Sequence, residues 1–254
     1  MMSPLTTALI VFTGAFGGAL LGMCLARVLP PSHLSDAARD TIRLGAGVVG
    51  TMTALVLGFL VSSASGVLER TSVDLAEIAG KAILLDRALA NYGPAAEQAR
   101  NNIRELYSNE LALLLSESQE AQSQLTTIDE LSRVEALPQQ LAQLPAPTPA
   151  HEAARTQALS IANELSADRW LLLYHGWNAI PLALLIALVL WLGTTFGFFG
   201  LFAPVNATVV LSLLICAMAA ATAVFLIAEM NTPFSGWIRI SSEPLRLALD
   251  HLGR

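Results

Sequence analysis

The residue patterns that could carry chemistry are few, and each is compromised by its surroundings. Gly45-Ala46-Gly47-Val48-Val49-Gly50 has the GxGxxG spacing of a dinucleotide-binding turn, in which glycines let the backbone approach a pyrophosphate at a helix N-terminus. That chemistry needs a strand just before the turn, and none is patterned there; the six residues open an apolar run. His33, His151, His175 and His251 are scattered, none at metal-ligand spacing from another His, Cys or carboxylate. Neither a His-x-x-x-His pair nor a Gly-x-Ser-x-Gly turn occurs. Cys24 and Cys216 both sit in apolar runs, where free thiols behave as small hydrophobes and build no disulfide framework. Glu69 and Glu229 stand at the ends of apolar runs; Glu229, beside Asn231 and Thr232, is the better candidate to line a polar pathway, against the plainer reading of an interfacial carboxylate. No catalytic role, metal or cofactor is expected from this set.

The elements that would have to position such groups explain why so little chemistry is visible. Apolar residues make up 54% of the 254 and charged residues only 13%, about half the share found in soluble domains. Residues 5–26, 44–68 and 176–228 contain no Asp, Glu, Lys or Arg. A helix needs about 20 apolar residues to cross a bilayer, and four segments qualify: Leu5–Leu29, Ile42–Val67, Ala179–Phe202 and Val205–Ala228. The first is too long for the core of a secretory signal and lacks a preceding basic residue, so it reads as a retained span. The expected class is an all-α integral membrane protein, with spans 1 and 2 in residues 1–67, a long helical insertion over 68–176, spans 3 and 4 in 177–230, and a tail over 231–254.

Four spans place both termini on the side of the insertion. Arg70, Lys81, Arg155, Arg169, Arg239 and Arg246 lie near span ends on that side, against Arg27, Arg39 and Arg43 on the other, partly offset by Asp36 and Asp40. The excess predicts that the insertion and both termini are cytoplasmic. Acidic residues outnumber basic ones nearly two to one in the insertion, which excludes the basic stripe a nucleic-acid partner would need.

Within the insertion, the second span continues as helix to Asn91-Tyr92-Gly93-Pro94, a stop signal. Leu75, Ile78, Ala82, Leu85 and Leu89 form a seam for a neighbouring helix. Further helices are expected over 94–122, with Ile103, Leu106, Tyr107, Leu111 and Leu114 on one face, over 127–137, and over 150–175, with Ala154, Ala158, Ile161, Leu165 and Leu172 in register. A thin seam of this kind is expected to pack between subunits, the alternative being a bundle closed within each chain. Trp170, Tyr174 and Trp177 suggest an interfacial aromatic belt. Leu245, Leu249 and Leu252 give the tail one apolar face, to dock on the membrane surface or on the insertion.

Two stripes of small residues mark the first two spans. Gly14, Gly18 and Gly22 repeat every four residues, as do Gly50, Ala54, Gly58, Ser62 and Gly66. In lipid, close backbone approach through such stripes drives helix packing, against a helix of the same chain or, as the length of the second stripe suggests, against another subunit.

Leu57-Gly58-Phe59, running through Glu69-Arg70 into a long helix, resembles the bestrophin channels. Thr232-Pro233-Phe234-Ser235-Gly236, followed by Ile238-Arg239-Ile240-Ser241 and Glu243-Pro244-Leu245-Arg246, resembles the bacterial bestrophin-like membrane family, whose function is unassigned. The channel resemblance implies a ring of subunits, five in number, with the second span lining an axial pore. It places an apolar constriction at Thr51, Leu55 and Phe59, with Ser62 and Ser63 as polar lining. Thr51 and Leu55 depart from the bulky neck of that family, and its acidic calcium clasp is absent, leaving only Glu229. The partners implied are the lipid bilayer, further copies of the chain and a permeant inorganic ion: anions by the resemblance, cations by the acidic insertion. The competing expectation is a membrane-anchored helical scaffold that binds another protein and conducts nothing.

Overall fold

In a computed structural model of the chain, residues 3–30, 35–115, 137–176, 181–234 and 236–253 are described. They form seven helices: α1 (Pro4–Val28), α2 (Asp36–Tyr92), α3 (Glu97–Leu115), α4 (Pro149–Gly176), α5 (Leu182–Phe202), α6 (Ala207–Met230) and α7 (Glu243–His251). Among the described residues there is no strand. Four helices, α1, α2, α5 and α6, are long and apolar enough to cross a membrane. The protein is a four-span, all-α membrane protein.

The ends of these helices follow local chemistry. Ser3 caps α1, its Oγ accepting from the Thr6 N–H at 3.1 Å, with Pro4 in the first turn. Asn206 caps α6 through its side-chain oxygen on the Val209 N–H at 2.8 Å. α2 stops at Tyr92 because Gly93 takes φ +104° and Pro94 opens a short 3₁₀ turn. The stop expected at 91–94 is thus realised after 57 continuous helical residues.

The chain divides into two compact units, Met1–Gly66 with Ala179–Asn231, and Val67–Asn178 with Thr232–Arg254. In the membrane unit, α1 packs on α5 and α6, burying Val11, Ala15, Ala19, Leu188, Phe196 and Val224 in one cluster. A smaller cluster joins Leu60 and Ala64 of α2 to Ile227 of α6.

The helical unit has a core of its own, and the seam expected to pack between subunits is filled within the chain. Leu75, Ile78, Ala82, Leu85 and Leu89 are all at most 2% exposed, packed with Ile103 and Tyr107 of α3, Ala158, Ala162 and Leu165 of α4, and Leu245, Ala248 and Leu252 of the tail. Leu137 and Leu141, from a helical turn over 137–142, join the same core. The seam looks thin in the sequence because the residues that close it come from the far end of the chain. The expected helix over 127–137 up to its last residue, the end of the 94–122 helix, and the side chains of Leu114, Tyr174 and Trp177 lie outside the described residues.

Polar side chains inside this unit are paired. Glu110 of α3 and Arg169 of α4 form a buried ion pair; burial lowers the Arg169 guanidinium below its ordinary range. Next to it burial pushes the Tyr107 phenol up to about 12. Asp86 accepts from Arg100 at 2.8 and 3.0 Å and from the Gly253 N–H at 3.1 Å, tying α2 to α3 and to the tail. Lys81 reaches Asp168 at 2.6 Å, Glu77 at 3.1 Å and Glu164 at 3.5 Å. The Asp168 hydrogen bond raises the Lys81 ammonium above the usual lysine range.

Candidate functional site: the open face of the second span

The buried side of the α2 span consists of Ala46, Thr53, Leu60 and Ala64, with Val56 and Leu57 partly covered. At 3.6 residues per turn, Thr51, Leu55, Gly58 and Ser62 fall roughly 180° from that side. The structure leaves all of them exposed: Leu55 is 70% and Phe59 63% exposed. The three residues assigned to a constriction therefore share one face, with no helix among the described residues covering it. Ser62 and Ser63 continue it by one turn, also exposed. The Thr51 hydroxyl donates to the Gly47 carbonyl at 2.9 Å, satisfied by its own helix, so its methyl is free to turn outward.

The two small-residue stripes differ in what they meet. A Cβ at Gly14 would lie 2.7 Å from Val189 Cγ1, at Gly18 2.3 Å from the Gly193 carbonyl oxygen, and at Gly22 2.1 Å from the Gly197 carbonyl oxygen. The first stripe is a backbone-to-backbone contact with α5. At Gly50 and Gly58 a Cβ would meet nothing within 4 Å, and Ala54 is exposed. The second stripe flanks the Thr51–Leu55–Phe59 row, with Ala54, Gly58 and Ser62 exposed and Gly50 and Gly66 half-buried.

Glu229 is only 5% exposed, so it is not part of the open row. Asn231, which follows it, caps α6 and donates from its side-chain amide to the Ile227 carbonyl at 2.8 Å. Among the described residues no group of three His, Cys, Asp or Glu side chains comes together as a metal site. Cys24 and Cys216 are free and exposed.

The tail motif has a structural place. Pro233 is buried, and Phe234 and Ile240 pack on the helical core. The Ile240 N–H donates to the Pro233 carbonyl at 3.2 Å. Gly236 takes φ +102°, a conformation open to glycine and strained for other residues. Pro244 sits in the first turn of α7, whose Leu245 and Ala248 enter the core.

A family model for the bestrophin-like domain matches residues 13–245, from α1 through the first turn of α7. The chain belongs to the bestrophin-like domain family. No curated protein and no solved structure matches it. The bestrophin-like match covers both units, so the tail motif and the spans belong to one inherited organisation.

Residue spacing alone did not single out Asp86, Glu110 or Arg169. A signal for them existed. Glu110 continues the apolar stripe of Ile103, Leu106 and Tyr107 at i+7, i+4 and i+3, and Arg169 continues that of Ala158, Ala162 and Leu165. A charged residue in register with a buried stripe implies a buried partner of opposite sign.

Proposed function

We propose that this bestrophin-like chain is an oligomeric ion channel of the bacterial inner membrane, five subunits around an axis. In this reading α2 lines the pore, with both termini and the helical unit cytoplasmic. Thr51, Leu55 and Phe59 form the constriction, and Ser62 and Ser63 the polar lining beyond it. The observation that carries the reading is the open α2 face. Its opposite side is packed, while a row of one polar and two large apolar side chains, flanked by Gly50, Ala54 and Gly58, has no cover among the described residues. Small residues let neighbouring α2 helices approach closely around an axis, and an apolar ring of Leu55 and Phe59 gates by dewetting. No enzymatic step is assigned to the chain.

The test is the subunit count of the detergent-purified protein by native mass spectrometry, followed by ion flux in liposomes. A closed ring of four or more subunits with flux supports the channel. A monomer or dimer removes the pore, and the scaffold reading, in which the helical unit binds a soluble partner, takes its place.

A further inference from the structure

An apolar groove of about 540 Å³ runs along the membrane unit between α1 and α5, outside the α2 face described above. Its floor is made by glycines of both helices, among them Gly17, Gly18, Gly193 and Gly197. Thr13 and Thr194 also line it, but each hydroxyl donates back to its own helix, to the Leu9 and Leu190 carbonyls at 2.8 and 2.7 Å. The groove therefore offers hydrocarbon an apolar bed with its polar groups already satisfied. Its lining spans residues 13–25 of α1 and 189–201 of α5. That is the C-terminal part of each helix, the end of α1 that leads to α2 and the end of α5 that leads to α6. At 1.5 Å per residue this length is about 18 Å, close to the ~15 Å hydrocarbon depth of one leaflet and far short of the ~30 Å of a crossing helix.

Basic side chains stand just past the lining of the groove at its α5 end. Beyond Leu201, its last α5 residue, comes Phe202, one turn from the groove-lining Phe198. The Arg39 guanidinium lies over the Phe202 ring at 5.6 Å. Arg39 Nε is buried and has no hydrogen-bond partner among the described residues. Arg27, in the last turn of α1, adds an exposed charge at the same end. Of the carboxylates there, Asp40 is paired with Arg43 at 3.7 Å, and Asp36 stands in the first turn of α2. A guanidinium with an unused donor at the end of a one-leaflet groove fits a phosphate monoanion attached to an acyl chain.

We propose that the α1–α5 groove holds one acyl chain of an anionic phospholipid, whose phosphate is bound by Arg39 at the groove's mouth. A second copy of the chain is the poorer occupant, since a packed helix would demand contact along the whole span.

Gly17 gives a clean way to block the groove, because a Cβ there meets nothing within 4 Å and the α1–α5 contact is untouched. The experiment is native mass spectrometry of the purified full chain with phosphatidylglycerol or phosphatidylcholine of identical chains. Wild type is expected to retain phosphatidylglycerol at least tenfold more than phosphatidylcholine. Gly17→Leu should lose both lipids, and Arg39→Gln should lower phosphatidylglycerol to the phosphatidylcholine level while leaving phosphatidylcholine unchanged. Equal retention of the two lipids by wild type overturns the proposal, as does unchanged phosphatidylglycerol retention in both variants. A Gly17→Leu protein that loses subunits but keeps its lipid also overturns it, and puts a neighbouring copy in the groove.

Discussion

The two units hold their helices together by opposite means. In the membrane unit α1 and α5 meet backbone to backbone, Gly18 on Gly193 and Gly22 on Gly197, with room for no side chain between them. In the helical unit the spaces are filled by large side chains, Leu85, Leu89, Ile103 and Tyr107, and by an ion pair closed inside, Glu110 with Arg169. The solvent explains the difference. In water, burying large apolar side chains is itself the driving force. In lipid that force is gone, and close van der Waals contact between small residues replaces it. The open α2 stripe belongs to the first kind of surface but has no partner among the described residues.

The strongest way to break this comparison is in the helical unit. Glu110→Leu leaves the buried Arg169 guanidinium uncompensated and should cost about 3–5 kcal/mol, read as a lower melting midpoint by circular dichroism. Adding Arg169→Leu should recover most of the loss, because an apolar pair needs no desolvation. If the double variant melts no higher than the single one, the ion pair is not what holds α3 to α4.

Gly22→Leu attacks the membrane unit where a Cβ would strike the Gly197 carbonyl at 2.1 Å. Backbone cannot yield as a flexible side chain does, so overpacking should cost about 3 kcal/mol. The melting midpoint in detergent should fall by roughly 6–12 °C. An unchanged midpoint would mean that α1 and α5 are not in contact.

A pH titration sharpens the contrast from the aqueous side. Tyr107 carries a pKa of about 12 in the folded chain against an ordinary 10.0. Between those values the folded state holds a proton that the unfolded state has released. The tyrosine's contribution is therefore complete below pH 10 and is lost as pH rises towards 12, up to about 2–3 kcal/mol. Melting of the helical unit measured from pH 9 to 12 should show the decline, and Tyr107→Phe should reduce it, leaving the part due to Lys81, whose ammonium Asp168 also holds above the usual lysine range.

The second glycine stripe should behave unlike the first. Gly58→Leu meets open space within the chain, so the subunit's own fold should change by less than about 0.5 kcal/mol. Its subunit count by native mass spectrometry should drop. Full assembly of this variant would turn the stripe towards lipid. Last, Phe59→Ala should raise ion flux in liposomes several-fold by widening the constriction; equal flux in a folded, assembled variant would remove Phe59 as the gate.

Much of the architecture was legible in the residues because hydropathy and periodicity are local. The four spans, the stop at Gly93 and the seam of Leu75, Ile78, Ala82, Leu85 and Leu89 follow from what each stretch of chain must bury or end. Legibility failed where two identical patterns required a decision about partners. Gly14-x-x-x-Gly18-x-x-x-Gly22 and Gly50-x-x-x-Ala54-x-x-x-Gly58 read alike, yet one lies on α5 and the other is open. The seam was legible too, but not its partner: Leu245, Ala248 and Leu252 reach it from more than 150 residues away along the chain.

Residue type and neighbours within a few turns specify the solvent of each segment, the number of spans, the stop of α2 at Gly93 and the family motifs. Which faces are covered was settled by the tertiary structure alone: the first glycine stripe by α5, the seam by α3, α4 and the tail, Glu110 by Arg169, and the Thr51–Leu55–Phe59 face by nothing among the described residues. Burial is a property of pairs of surfaces brought together from distant positions, and no local pattern specifies the second surface.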